Sequence, residues 1–353
     1  MTPDILRQRI EHGEALTGLD LQGASLEGLD LSGALLQRCD LRGASLAGAD
    51  LRGCRFNECL LPQSDLRGAN LKKCTFYRCE LGEACFQGAL FHDASFSECR
   101  AMAADFSRTP LNGCRFVRTA LLRARFDGVE QHEGSFSECG LADASFAGAA
   151  LRQMRFYRAD LRHTDLSGVR LERVVFEEAD LTGQRLAGQS LSGSQFIGAR
   201  MDDCDLRNAQ LHDSNFTGAS MRRARLAGAL GPGATFEQAN LAGANCAGAR
   251  LPHSAWADAC VDGAVFSGAD LAHAVLPRIS ASRARFEGAE LAHADFSCAD
   301  LRDADLRDAR FRGTQLHGAR TDGVRWTSRA GIVDHEPGLL RAQPQAAQRH
   351  GAA

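Results

Sequence analysis

A five-residue register runs through almost the whole chain and admits very few folds. Every fifth residue from Leu16 to Trp326 gives 63 positions, and 57 of them are Leu, Phe, Met, Trp or Val. The exceptions are Ala101, Gln131, Gly231, Cys246, Ala281 and Thr321. All 19 Phe and both Trp fall in this class. The position two residues earlier is small, with Ala or Cys at 43 of its 63 sites, and the positions between are polar or Gly. A period of five fits neither the 3.6 of a helix nor the alternation of a simple strand. It predicts a short side with one large and one small residue pointing inward. Such a side cannot bury its own Leu. It needs sides across from it and coils above and below, as a solenoid provides.

The phenylalanines set the number of sides. Phe56, Phe76, Phe96, Phe116, Phe136, Phe156, Phe176, Phe196, Phe216 and Phe236 recur at every fourth repeat, and Trp256 continues the series. A second run, Phe86, Phe106, Phe126 and Phe146, then Phe266 and Phe286, lies half that interval out of phase. The remaining sides are mostly Leu. A coil of 20 residues and four sides follows, with Phe on two opposite sides stacked at the inter-strand spacing of about 4.8 Å. The predicted fold class is an all-β solenoid, a quadrilateral β-helix of about 16 coils over residues 16–326.

Residues 1–15 fall outside the repeat. Thr2-Pro3-Asp4 reads as a helix start, Ile5, Leu6 and Ile10 as one apolar stripe, and Gly13 as its stop. A short helix capping the first coil is expected, because an open coil exposes core and strand edges. Residues 327–353, rich in Gln and Ala, have little to bury and are expected to form a flexible tail, with Trp326 closing the last coil. Two defects stand out on the Leu sides, Gln131 and Gly231. Neither adds a residue to the register, and each marks either a bulged side or a tolerated imperfection.

Ala69-Asn70-Leu71-Lys72-Lys73, Ala239-Asn240-Leu241-Ala242-Gly243 and Ala299-Asp300-Leu301-Arg302-Asp303 resemble the A-(D/N)-L-x-x consensus of pentapeptide repeat proteins. The resemblance covers about residues 16–326. It implies the right-handed quadrilateral β-helix of that family, and the handedness comes from the resemblance alone. The stretch from Gly13 to Gly23 is also similar to pentapeptide repeat proteins associated with type VI secretion. That similarity implies an accessory role in effector delivery or apparatus regulation.

Little in the chain looks like chemistry. Cys39, Cys59, Cys79 and Cys99 fall on successive coils, Cys139 follows two coils on, and Cys54 and Cys74 form a shorter stack. Their spacing would allow a disulfide or a shared metal. However, nine of the 13 Cys occupy the small inward class, where a thiol acts as a small hydrophobe. Buried, reduced and inert thiols are expected. His253, His273 and His293 share one outward position on three coils, a place where a metal could bind adventitiously. No nucleophile–base set and no phosphate-binding loop emerges, so no enzyme, cofactor or catalytic residue is expected.

The outer surface says more. Two residues past each Phe of the long series the chain reads Arg38, Glu58, Arg78, Glu98, Arg118, Glu138, Arg158 and Glu178, a strict alternation over eight coils. One residue past each Phe lie Tyr77, Val117, Tyr157 and Ile197. Exposed aromatic and β-branched groups beside a charged row form the candidate contact face for a protein partner or a second copy.

Charge and targeting narrow the function. The net charge of −3 is too small for a nucleic-acid-binding field. No apolar run approaches a membrane span, and the start lacks a signal peptide. A cytoplasmic, non-enzymatic interaction scaffold is expected, without direct nucleic-acid or membrane contact. The competing reading is a DNA mimic that binds a type II topoisomerase (gyrase), as in the fluoroquinolone-resistance branch of the family. Mimicry needs a strongly negative surface, yet in successive 50-residue segments the charge never falls below −4.

Overall fold

The computed structural model describes residues 3–334. The chain divides into two compact units, Met1–Arg185 and Leu186–Ala353. Each is a parallel β-solenoid. Apart from one pairing near residue 332, every described ladder partner lies four repeats further along the chain, from Leu16↔Leu36 to Asp305↔Arg325. The coil read from the phenylalanines is thus the repeating unit of the backbone.

Local hydrogen bonds explain why each five-residue motif forms one side. The large residue donates its N–H to the following coil, as Leu21 does to the Asp40 carbonyl at 2.7 Å. Its own carbonyl accepts from the small residue three positions on, as in Ala24 N–H to Leu21 at 3.0 Å. The residue between them takes positive φ at nearly every corner, whether Gly or not. An L side chain there costs about 1 kcal/mol relative to Gly. The Asp before the large residue steadies the corner. The Asp40 carboxylate accepts the Arg42 backbone N–H at 3.1 Å and pairs with the Arg42 guanidinium. Asp50 with Arg52, Asp65 with Arg67 and Asp160 with Arg162 repeat the arrangement.

In the first unit, helix α1 (Pro3–Glu11) precedes the first strand, as expected, while the Thr2 cap lies outside the described residues. Leu6 is buried, and together with Ile10, Leu16 and Leu21 it lines a void of about 10 Å³, room for at most one water. Above this, two phenylalanine ladders fill the core. Phe56 to Phe176 stack at 4.7–5.2 Å between ring centres. Phe86 to Phe146 stack at 4.7–5.0 Å. The ladders meet edge to face at 5.4–6.4 Å, which confirms that they belong to opposite sides. Offset stacks along the axis and T-shaped contacts across it are both favoured by the ring quadrupole.

The Gln131 defect has a structural form. Glu130–Ser137 runs as one eight-residue strand, paired to Ala150–Tyr157, so two sides join without a sharp corner. Gly134, with φ of 128°, makes this possible: a Cβ there would come within 2.4 Å of the Cys114 carbonyl oxygen. Gln131 itself is only 2% exposed, and neither amide atom has a partner among the described residues.

The second unit repeats the plan. Phe196, Phe216 and Phe236 stack at 4.9 and 5.0 Å, and Trp256 follows at 4.1 Å. Ser254 makes the tryptophan tolerable by accepting its indole N–H at 2.7 Å. Gly231 is no bulge, because the Leu251 and Leu211 side chains close over it, 3.0 and 3.1 Å from where its Cβ would stand. The ladder continues past Trp326: Ile332–Val333 pairs with Thr314–Gln315, here at an interval slightly shorter than a full coil. Residues 327–334 therefore differ from the expected tail, because Gly331, with φ of 91°, lets the chain turn back against Phe311. The rest of that expected tail, 335–353, lies outside the described residues.

One buried charge ties the later coils together. Asp305 is 1% exposed and pairs with Arg307 at 2.7 Å and Arg325 at 3.0 Å. The Arg307 hydrogen bond leads in holding its carboxyl at about 2, below the ordinary 3.8. A depressed carboxyl stabilises the fold above the unfolded value and loses that contribution as pH falls through the folded one. Wild-type stability should therefore decline between pH 4 and 2. Asp305→Asn should be less stable at pH 7 and decline less steeply across that window, as read by denaturant titration at each pH. Phe136→Ala, in the middle of the first ladder, should cost about 3–5 kcal/mol in the same measurement. A loss below about 1 kcal/mol would contradict the stacked core.

Candidate protein-contact face

The side built on Phe56 to Phe176 is a continuous parallel sheet in the first unit, with Asn57, Tyr77, Ser97, Val117, Ser137, Tyr157 and Glu177 in register. These residues alternate with the buried Phe and so face outward. The predicted residues Tyr77, Val117, Tyr157, Arg78, Glu98, Arg118, Glu138 and Arg158 all lie on this sheet or its corner. Tyr77 is 38% exposed, while Val117 and Tyr157 are half-buried. Ile197 is 41% exposed and belongs to the second unit.

The alternating charges pair in part. Glu98 bridges Arg78 at 2.8 Å and Arg118 at 2.7 Å, and Arg158 meets Glu178 at 2.7 Å. Among the described residues, Arg38, Glu58 and Glu138 make no ion pair. The pairs that form are solvent-exposed, where water screens the charges and little stability is gained. Their larger effect is on the tyrosines. The Arg78 guanidinium lies 4.9 Å from the Tyr77 ring centre. Arg158 and Arg155 lie 5.0 and 5.6 Å from that of Tyr157.

Sequence reasoning missed a row that belongs to this face. Arg55, Arg115 and Arg155 precede their Phe by one residue and so point outward beside the tyrosine row. Arg155 also forms an ion pair with Glu177. The signal was present in strand alternation, since residues two apart share a face.

The cysteine ladder is core. Cys39, Cys59, Cys79, Cys99 and Cys139 are buried and unpaired, as are Cys54 and Cys74. Their thiols point at backbone oxygens of the preceding coil, as in Cys79 to Phe56 at 3.4 Å and Cys74 to Leu51 at 2.8 Å. Thr109, Thr119, Thr164, Ser214 and Thr314 donate to the same kind of carbonyl at 2.7–3.1 Å. The small inward site thus accepts a short donor as readily as Ala. Burial pushes the Cys114, Cys139 and Cys246 thiols up to about 12.

The histidines stack ring on ring, His253 with His273 at 4.9 Å and His273 with His293 at 4.8 Å. Two nitrogens sharing a tetrahedral ion lie about 3.3 Å apart, with lone pairs that converge. Parallel rings at this spacing do not meet that need. Among the described residues, no group of three or more His, Cys, Asp or Glu is placed to hold a metal ion. In native protein, a thiol reagent should label exposed Cys298 promptly and half-buried Cys85 and Cys260 more slowly. Mass mapping of labelled peptides reads the order, and rapid labelling of Cys59, Cys79 or Cys99 would contradict it.

Models of known protein families agree with this architecture. Family models described as pentapeptide repeats match residues 20–57, 56–100, 135–173, 264–297 and 284–320, and a pentapeptide repeat region matches 169–246. No curated protein matches the chain. Among solved structures, a pentapeptide repeat protein from the Arabidopsis thaliana thylakoid lumen is 28% identical, covering 31% of this chain and 74% of its own, with a TM-score of 0.29. QnrB1, a plasmid-mediated fluoroquinolone resistance protein, is 19% identical over 62% of this chain and 100% of its own, with a TM-score of 0.29. HetL from the cyanobacterium Nostoc, involved in heterocyst differentiation regulation, is 22% identical over 95% and 99%, with a TM-score of 0.18. Among the described residues, no helix is long and apolar enough to cross a membrane. The family models, matching most of the register that builds the coils, show that this chain belongs to the pentapeptide repeat family.

Proposed function

We propose that the protein is a non-enzymatic interaction scaffold, and that the tyrosine-bearing sheet of the first unit is the surface it offers to a protein partner. The observation that carries this reading is the pinning of Tyr77 and Tyr157 beneath arginines on a flat sheet of mostly small residues. A ring already held in place loses little conformational freedom on binding, and Tyr with Arg is the pair of types enriched at hot spots. Ile197 extends the same sequence row into the second unit.

The charge of the sheet points to an acidic partner. From Arg38 to Glu178, its outward and corner positions carry seven arginines against five glutamates. That balance disfavours the alternative, a DNA mimic of the kind that binds gyrase, for which the excess would have to be negative. The 13 cysteines, none of which forms a disulfide among the described residues, suit a reducing, cytoplasmic setting. An accessory role in type VI secretion is one context for such a scaffold and rests on residues 13–23 alone.

The double variant Tyr77→Ser with Tyr157→Ser tests the reading. Its denaturation midpoint should match the wild type, since both side chains are at the surface. A partner recovered with the wild-type protein should be lost, and its binding should weaken as salt is added. An unchanged partner set and unchanged solution mass would remove the face from consideration. A mass that falls from dimer to monomer would identify a second copy as the occupant. Inhibition of gyrase supercoiling by the wild-type protein would favour the mimic instead.

A further inference from the structure

We propose that the corner at Arg108 is a separate binding site for a carboxylate side chain of an acidic peptide. It lies after the Phe106 side, across the core from the tyrosine sheet, and the proposal does not depend on that sheet.

The first observation is a broken column. The corner positions 28, 48, 68, 88, 128, 148 and 168 are all Gly, each with φ of 61–68°. Position 108 alone in this column of the first unit is charged, and Arg108 adopts the same conformation, with φ of 56°. An arginine where Gly serves at every other coil accepts backbone strain without a structural return. Its side chain makes no ion pair or hydrogen bond among the described residues.

The second observation is the space around it. With Gly88 and Gly128 on the flanking coils, no neighbouring corner side chain fills the surface. Arg67, Gln87, Ser107, Arg108, Arg125 and Asp127 line a concavity of about 510 Å³ with the corner of Gly88. The other charged and amide side chains there are engaged. Arg67 pairs with Asp65 at 2.6 Å, Gln87 donates to Asp105 at 2.8 Å, and Arg125 meets Asp127 at 3.1 Å. Arg125 also lies 3.6 Å from Asp105, so the arginines and aspartates of the concavity balance, and Arg108 is its one cation with no ion pair among the described residues.

The third observation lies beside Arg108. Ser107 is 5% exposed, and its hydroxyl has no hydrogen-bond partner among the described residues. An unmade bond at a covered hydroxyl is unfavourable. The ladder is open here as well. The Gly88 N–H meets the Thr109 hydroxyl at 3.2 Å rather than a backbone carbonyl, and Pro110 has no N–H to give. A free guanidinium fork at the mouth of the concavity suits a planar carboxylate, which takes two parallel N–H bonds. The site offers one free guanidinium fork and no second cation without an ion pair, so it suits a singly charged carboxylate better than a dianion such as phosphate.

Arg108→Gly provides the test, because it restores the residue used along the rest of the column. That variant should fold with an equal or higher melting temperature. The probe is an acetylated, amidated tetraglutamate peptide, followed through the ¹⁵N–¹H signals of the arginine Nε groups. The expected result is a saturable shift at Arg108 in the millimolar range, absent with tetraglutamine. The affinity should fall at least tenfold in Arg108→Gly. No saturable shift in the wild-type protein would overturn the proposal. So would equal peptide affinity in the variant, or inorganic phosphate binding Arg108 more tightly than the peptide does.

Discussion

Parallel pairing at a constant offset of one coil is the constraint on which the rest of the structure depends. It places each side chain over its counterpart at the spacing of one strand, so a residue type repeated in sequence becomes a column in space. Phenylalanines become face-to-face stacks, thiols a buried row, imidazoles an outer stack, and acids and bases a charged edge. The columns impose a matching rule on the core. A ring stacks best on a ring, and a gap in a column removes contacts from two coils at once. Trp256 fits because Ser254 supplies the acceptor that the indole needs. Gly231 fits because two leucines close over it.

The corners divide the residues that hold the fold from those free to do something else. Every side spends its inward pair on the core, and where an Asp precedes the large residue it steadies the turn. The corner and the outward positions carry no packing duty. Where they are Gly or Ala, the surface is bare. Where they are Tyr and Arg, as along the first sheet, the chain accepts left-handed strain and exposed aromatic area that the fold does not require. Arg108 is the same departure at a single corner. Both proposed surfaces rest on residues whose exposed aromatic area or corner conformation the fold does not require.

Much of this was legible in the sequence because a solenoid converts spacing directly into position. The count of sides, the opposition of the two phenylalanine ladders and the burial of Cys59, Cys79 and Cys99 each followed from where residues fell in the register. The charged row was legible only in outline. Its alternation shows which charges stand one coil apart, but Glu98 takes both Arg78 and Arg118 while Arg38, Glu58 and Glu138 make no ion pair among the described residues. Arg55, Arg115 and Arg155 escaped notice as part of the contact face because attention rested on the residues after each Phe rather than before it.

What the sequence by itself determined was the coil: its length, its four sides, its inward pairs and the columns they build. Those depend on periodicity, which hydrophobic burial enforces at every repeat. Only the tertiary structure decided what happened where the period was kept but the chemistry was broken. It joined two sides into one strand at Gln131, because Gly134 can pass close to the Cys114 carbonyl. It turned the chain back at Gly331 to add a strand beyond Trp326. It also left Arg108 and the Ser107 hydroxyl without partners. Those outcomes depend on which neighbours stand one coil away and how closely they approach, and a repeat pattern read along the chain carries no such distances.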